Sequence, residues 1–348
     1  MSVSLTGREH LTQIRRAARK RPHLVLTLLS LTLLGALAVR VLLGSYTVTI
    51  PDFFTLLSGG NLDHARGARY IVMEDKLPRA VLGALAGLAF GAAGAIFQLL
   101  LRNPLASPDI IGISTGASLG AVTAIVFFGL TGFSVSLFAI GFALVVALLI
   151  MLLSAGDTGA GNRFILMGIG ISALASSVIS YLMSRISSSD AQTATLWMSG
   201  SLSNANWNRI SILSLTLLIL LPTVALLHRY LHALAVGDEL AHGLGVRTHA
   251  VRWGFIILGV LLAAVATAAT GPIAFVAFVS GPIARRLQGG PHSLTASALV
   301  GAIIVVLADF VGANLIPSGN LPVGILTGAA GAPLLIWLLA RSQKEGKA

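Results

Sequence analysis

The sequence predicts an all-α protein that lives in a membrane. Ten apolar stretches, each long enough or nearly long enough to cross a bilayer, run from Leu24 to Leu339. Only 10% of the 348 residues are charged, where a soluble domain carries roughly 25%. Mean hydropathy is +0.90. Of the twelve carboxylates, Asp309 alone falls inside an apolar stretch. Lipid offers no partner for backbone N–H and C=O groups, so stretches of this kind must be helices. About 20 residues rising 1.5 Å each match a hydrocarbon core ~30 Å thick.

The elements follow in order. Residues 1–22 form a basic arm with Arg8, Arg15, Arg16, Arg19, Lys20 and Arg21, and the first span is 24–43. Within it, Ala36-Leu37-Ala38 resembles a leader cleavage site, but the apolar run continues to Leu43, so an uncleaved span is expected. The loop from Ser45 to Leu77 opens with Tyr46-Thr47-Val48-Thr49-Ile50-Pro51, an alternation that predicts a short strand. Spans 79–101, 110–130, 132–153, 164–184 and 209–228 come next. Glycines spaced by four, at 83, 87 and 91 and again at 112, 116 and 120, predict close helix–helix approach.

Residues 229–252 form the most polar internal loop. Asp238 and Glu239 suit the start of a short helix, and Gly243 and Gly245 its end. Spans 253–270 and 272–287 contain Gly271-Pro272-Ile273-Ala274 and its echo Gly281-Pro282-Ile283-Ala284, which predict a broken helix and a short or re-entrant span. Spans 295–312 and 322–340 precede a polar tail, 342–348. The expected organisation is one membrane domain, 23–341, with no soluble domain attached.

The net charge of +11 belongs to this topology rather than to nucleic-acid binding. Sixteen of the 23 Lys and Arg residues fall on the side of the N-terminus and seven on the other, which predicts cytoplasmic termini. The absence of cysteine excludes disulfides, thiolate metal sites and thiol catalysis. No phosphate-binding loop of the Gly-x-x-x-x-Gly-Lys-Ser/Thr type is present, so ATP is not hydrolysed through that device. The eight histidines fall in loops or at span ends, which argues against a membrane hydrolase. An ion-coupled carrier needs several intramembrane carboxylates, whereas Asp309 stands alone and is expected to be paired or hydrated near the interface. The chain reads as a pathway without its own motor. Ser114, Thr115 and Ser118 in span 3 and Ser172, Ser176, Ser177 and Ser180 in span 5 are candidates to line it, although serine hydroxyls also satisfy helix backbone.

The ordered motifs are more specific. They begin with Leu77-Pro78-Arg79, Gly94-Ala95-Ile96-Phe97-Gln98 and the run from Arg102 to Ala117 containing Asn103-Pro104-Leu105. Gly237-Asp238-Glu239 with Leu244-Gly245-Val246, Gly271 to Val276, Ala284-Arg285-Arg286, Ala308-Asp309 and Leu321-Pro322-Val323-Gly324 follow. In this order and spacing the chain, from about Tyr46 to Leu339, closely resembles the FecCD family of permease subunits of ABC importers for ferric siderophores, haem and cobalamin.

The resemblance implies a type II ABC importer architecture in the cytoplasmic (inner) membrane of a bacterium, with a second permease subunit around a shared path. Two ATPase subunits, carrying ATP and Mg, dock below, and an extracytoplasmic substrate-binding protein docks above. No cofactor or metal is expected in this chain, and it is read as a transport subunit, not an enzyme. Lys76 and Arg79 take the places of docking residues for the binding protein. Asn103 and Leu105, with Gly161 and Asn162, take the places of the cytoplasmic gate. The segment Asp238, Glu239, Leu240, Ala241, Leu244, Gly245 and Val246 resembles the coupling helices that sit in a cleft of the ATPase. Two departures stand out. Ala313 replaces an arginine common in the family, which favours a heterodimer, and Gly281-Pro282 replaces Pro-His. The expected cargo is a ferric siderophore, with cobalamin or haem as the alternative and ion-coupled transport as a more distant one.

Overall fold

The path of the chain is set by α1 and α4, which run in opposite directions through the bundle. The computed structural model describes the backbone of residues 3–60, 62, 67–154, 160–290, 293–316 and 321–345, and the side chains of these from 21 onward except 160–162 and 337–345. The elements are α1 (Val3–Leu42), α2 (Ile50–Leu57), α3 (Ala68–Tyr70), then a π-helical turn (Ile71–Lys76) that runs into α4 (Leu77–Leu100). They continue with α5 (Ile113–Phe128), α6 (Phe133–Ser154), α7 (Ala160–Met183), α8 (Ser188–Met198), α9 (Trp207–Val236) and α10 (Asp238–Gly243). The last four are α11 (Thr248–Thr270), α12 (Val276–Gln288), α13 (Leu294–Asn314) and α14 (Val323–Glu345). We call the end where α1 begins basal and the end where it finishes apical.

Each of the ten predicted spans meets a helix, but among the described residues only seven helices are long and apolar enough to cross a membrane by length and composition. The exceptions are α5, α12 and α14, whose apolar part covers Val323–Ile336. At 13 residues, α12 reaches only ~20 Å. The break before it, Gly271 to Phe275, was expected from the Gly-Pro repeat. Gly271 has φ +75° and Phe275 φ +66°, and Ile273 and Val276 to Ser280 are buried, so protein rather than lipid surrounds this irregular backbone.

Of the seven long spans α4 is the most buried and α7 the least. The glycines of α4 explain its central place. A Cβ on Gly87 would lie 2.5 Å from Cα of Ala302 and from the carbonyl oxygen of Gly301, and one on Gly91 would lie 2.3 Å from the carbonyl oxygen of Ser297. The backbones of α4 and α13 therefore touch, as the glycine spacing predicts. Gly116 and Gly120 bring α5 against α6 in the same way, with Val146 and Phe138 as neighbours.

Two local expectations are corrected. Tyr46–Pro51 forms no strand. Thr49 caps α2, its hydroxyl oxygen accepting from the Asp52 N–H at 3.3 Å, and Pro51 occupies the first helical turn. A cap and a proline that has no N–H to lose favour a helix start over the alternating pattern. The polar loop also shrinks from 229–252 to 237–247. Nothing in Arg229–Val236 breaks a helix, so α9 continues until Gly237 at φ +138°, and α11 begins at Thr248.

Candidate functional site: a turn after α4 clamped to a basal helix

At the basal end α4 stops at Leu100 and the chain turns. Arg102 adopts φ +50°, one of two non-glycine residues with positive φ among those described. Asn103 holds the turn, with its Oδ1 accepting from the Leu105 N–H at 2.9 Å and its carbonyl accepting from Ala106 N–H at 3.0 Å. Asn103 and Leu105, the expected gate residues, thus form a compact Asx-type turn. Gly161 and Asn162 lie in the first turn of α7, where the backbone is helical and the side chains are outside the described residues.

The turn does not stand alone. The Arg102 guanidinium donates to the Leu234 carbonyl from Nε (3.2 Å) and Nη2 (2.8 Å), and Nη2 reaches Asp238 Oδ1 at 2.7 Å. Arg252 of α11 donates to the other oxygen, Asp238 Oδ2, at 2.6 Å. One carboxylate at the start of α10 therefore joins the end of α4, the end of α9 and the start of α11. Sequence reasoning named Asp238 as a site residue and Arg102 as the head of a motif, but gave neither Arg102 nor Arg252 a role. Their signal was weak: each is a lone charge bordering an apolar run.

From this clamp, α10 and its C-cap present Leu240 and Leu244, 61% and 75% exposed, beside the exposed acid Glu239. Ala241 is fully buried and anchors the helix, while Gly245 at φ +79° turns the chain toward Val246. The expected helix stop at Gly243 and Gly245 is present. Leu240 on the helix and Leu244 at its C-cap thus leave two large apolar side chains exposed four residues apart.

The apical end is organised by charge. Asp309 of α13 is 3% exposed; it accepts from Arg40 Nε at 2.6 Å and from Arg79 Nη2 at 2.9 Å. Arg79 also lies 3.6 Å from Asp75. Lys76 Nζ donates to the carbonyls of Val41 (3.3 Å), Leu43 (2.7 Å) and Tyr46. Lys76 and Arg79, expected as docking charges for a binding protein, are 2% and 6% exposed. That expectation needs correcting in one respect: their charges are turned inward, onto carbonyls and carboxylates, and hold α1, α4 and α13 together. Asp309 is paired, as expected, although buried rather than hydrated. Arg40, inside the first predicted span, is its closest partner.

Between these ends lies a small cleft of about 290 Å³ in which Asp109, Ser114, Thr115 and Ser199 stand beside Met198, Pro272 and Ile325. Ser114 Oγ donates to Asp109 Oδ1, and Thr115 Oγ1 meets Ser172 Oγ at 3.0 Å, tying α5 to α7. The structure thus brings Ser114, Thr115 and Ser172 together. Ser176 stands apart on the exposed side of α7 with Ser177 and Ser180. Among the described residues no group of three or more His, Asp or Glu could hold a metal ion.

Among the described residues, seven long apolar helices, a buried ion cluster at one end and an exposed short helix at the other define a multi-pass membrane protein. Residues 29–341 match the FecCD transport family, and the chain belongs to that family. It is 36% identical over 324 residues to the Fe(3+)-citrate import system permease protein YfmE of Bacillus subtilis (strain 168), covering 92% of this chain and 96% of that one. It is 37% identical over 303 residues to the ferric enterobactin transport system permease protein FepG of Escherichia coli (strain K12), covering 87% and 91%. A solved structure described as an inward-facing conformation of a metal-chelate type ABC transporter superposes with a TM-score of 0.81 at 27% identity, covering 91% of this chain and 99% of that one.

Proposed function

We propose that this chain is the transmembrane permease subunit of an ABC importer that moves a ferric siderophore across the cytoplasmic membrane of a bacterium. The observation that carries the reading is the Arg102–Asp238–Arg252 clamp, because it joins the candidate gate turn at Asn103 and Leu105 to the exposed face of α10. A partner that moves α10 moves the turn. The two relatives named above for iron chelates support the cargo class.

In this reading both termini are cytoplasmic, and residues 23–341 form the permease domain between a basic arm and a short tail. Two ATPase chains carry ATP and Mg and receive Leu240 and Leu244. An extracytoplasmic binding protein delivers the chelate at the apical end, where Lys76 and Arg79 support the docking surface from beneath. A second permease subunit covers α7, whose exposed face includes Ser176, Ser177 and Ser180. Hydroxyls on a membrane surface are better placed against protein or a wet path than against lipid. Ala313, in place of the arginine usual in the family, favours a heterodimer. Gly161 and Asn162 complete the gate, and Ser114, Thr115 and Ser172 line the path beside Asp109.

The test is Asp238→Asn in the assembled transporter. The clamp is part-exposed, with side-chain exposures of 26–47%, so its loss changes stability by at most about 1 kcal/mol. Chelate uptake is expected to fall about tenfold, within the ~1–3 kcal/mol typical of coupling between linked sites, while ATPase chains still co-purify. Undiminished uptake by the Asp238→Asn chain would reject the coupling role, and failure of any ATPase to co-purify with the wild-type chain would reject the importer reading itself.

A further inference from the structure

A cavity of about 830 Å³ opens between α1, α4, α9 and α13 in the basal half of the bundle. Its volume lies in the range of ~300–1,000 Å³ typical of ligand sites. The cavity is graded along the membrane normal. The deep part is apolar, lined by Leu88 and Ala92 midway along α4, Leu221 of α9 and Ala298 of α13. The polar lining residues lie at the basal end, beside Pro22, Leu26 and Leu294: His228 and His232 on successive turns of α9, Gln288 at the end of α12 and Ser293 at the start of α13. The two imidazoles stand perpendicular, their centroids 5.9 Å apart, and His228 Nδ1 lies 2.6 Å from the Ala225 carbonyl. One cationic group stands beside the mouth. The Arg21 guanidinium lies against Gly289, next to the lining residues Gln288 and Gly290. The mouth also faces the start of α13, capped by Ser293, where the helix dipole favours an anion.

From this grading we infer that the cavity is a binding site for one phospholipid with an anionic headgroup, taken from the basal leaflet. An unfilled apolar space in a membrane forfeits dispersion contacts on every wall, and hydrocarbon is the solvent at hand. An acyl chain gains nothing by leaving lipid for leucine, so it fills the deep part without setting the affinity. Selectivity comes from the mouth, where Arg21 and the α13 N-terminus meet the phosphate, and His232 and Gln288 supply donors to the ester oxygens. A bound lipid of this kind braces α1 against α9 and holds the base of the bundle from which α10 projects.

The experiment uses the full-length chain in mild detergent, with dioleoyl phosphatidylglycerol and dioleoyl phosphatidylcholine offered in equal amounts and retained lipid counted by native mass spectrometry. One phosphatidylglycerol is expected to be kept in about fivefold preference, the worth of one arginine beside an anionic surface. Arg21→Ala should abolish the preference while leaving one lipid of either kind. Ala225→Trp, on the exposed wall of the cavity, should displace both lipids with the thermal unfolding midpoint unchanged in lipid-free detergent. Equal retention of the two lipids by the native chain, or undiminished retention by the Ala225→Trp chain, would overturn the assignment. The readout needs neither an ATPase nor a chelate, so it stands apart from the transport reading.

Discussion

Asp309 carries two guanidinium groups in a place almost closed to water. A buried pair of this kind contributes little net stability while intact, because desolvating the charges offsets their attraction, but breaking it strands a charge. Asp309→Asn should therefore lower stability by about 3–5 kcal/mol, the usual cost of removing one partner of a buried ion pair, visible as a lower unfolding midpoint in detergent. If the Asp309→Asn chain unfolds at the wild-type temperature, the cluster is not what joins the apical ends of α1, α4 and α13. At the same scale Gly281 has a clear reason. A Cβ there would lie 1.8 Å from Gln98 Oε1, and Gln98 Nε2 donates to the Phe278 carbonyl at 2.9 Å. Glycine at 281 thus leaves room for a glutamine of α4 against α12.

Helices in lipid gain no hydrophobic energy by meeting each other, so close backbone approach has to supply the attraction. The α4–α13 seam shows this. Gly87, Gly91 and Gly301 interlock with no room for a methyl group, and the obstructing atoms are backbone. Gly87→Ala should push the two helices apart and destabilise the chain by about 1–3 kcal/mol, the range for overpacked cores, as measured by thermal unfolding. The same substitution at Gly35 or Gly141, where nothing lies within 4 Å of an added Cβ, should leave the midpoint unchanged and serves as the control. The stripe at 83, 87 and 91 was legible as a packing face, and so were Gly116 and Gly120, whereas Gly112 lies before α5 at φ +92° and faces Ser172 of α7. Which helix each stripe meets was not legible, because spacing along one helix carries no record of its partner.

Across the whole molecule the buried core and the exposed flank are unequal. α4 sits at the centre, while α7 shows Leu166, Leu174, Ser176 and Tyr181 on one open side. An assembly in which a second permease covers this flank makes a direct prediction. The chain has no cysteine, so Ser176→Cys introduces its only thiol. A membrane-permeant maleimide should label it readily in the isolated chain and slowly in the assembled transporter, whereas Leu152→Cys on α6, 64% exposed in the single chain, serves as a second reporter of what assembly covers. Equal labelling of the Ser176→Cys chain in both states would place the second permease elsewhere.

Along the chain alone, composition and periodicity were enough to settle the solvent, the helical class, the ten apolar segments, the break at Gly271–Phe275 and the short helix after Gly237. These are local properties, dictated by what lipid demands of a backbone and what glycine and proline permit. The pairings that organise both ends were hidden. Arg40 meets Asp309 across 269 residues and Arg102 meets Asp238 across 136, and neither arginine differs in sequence from an ordinary residue at a helix end. Lys76 and Arg79 were legible as important but not as buried, since a charge reads the same whether it faces solvent or a carbonyl. Only folding brings such groups within reach, and within the membrane the cost of leaving a charge unpaired then selects the partner.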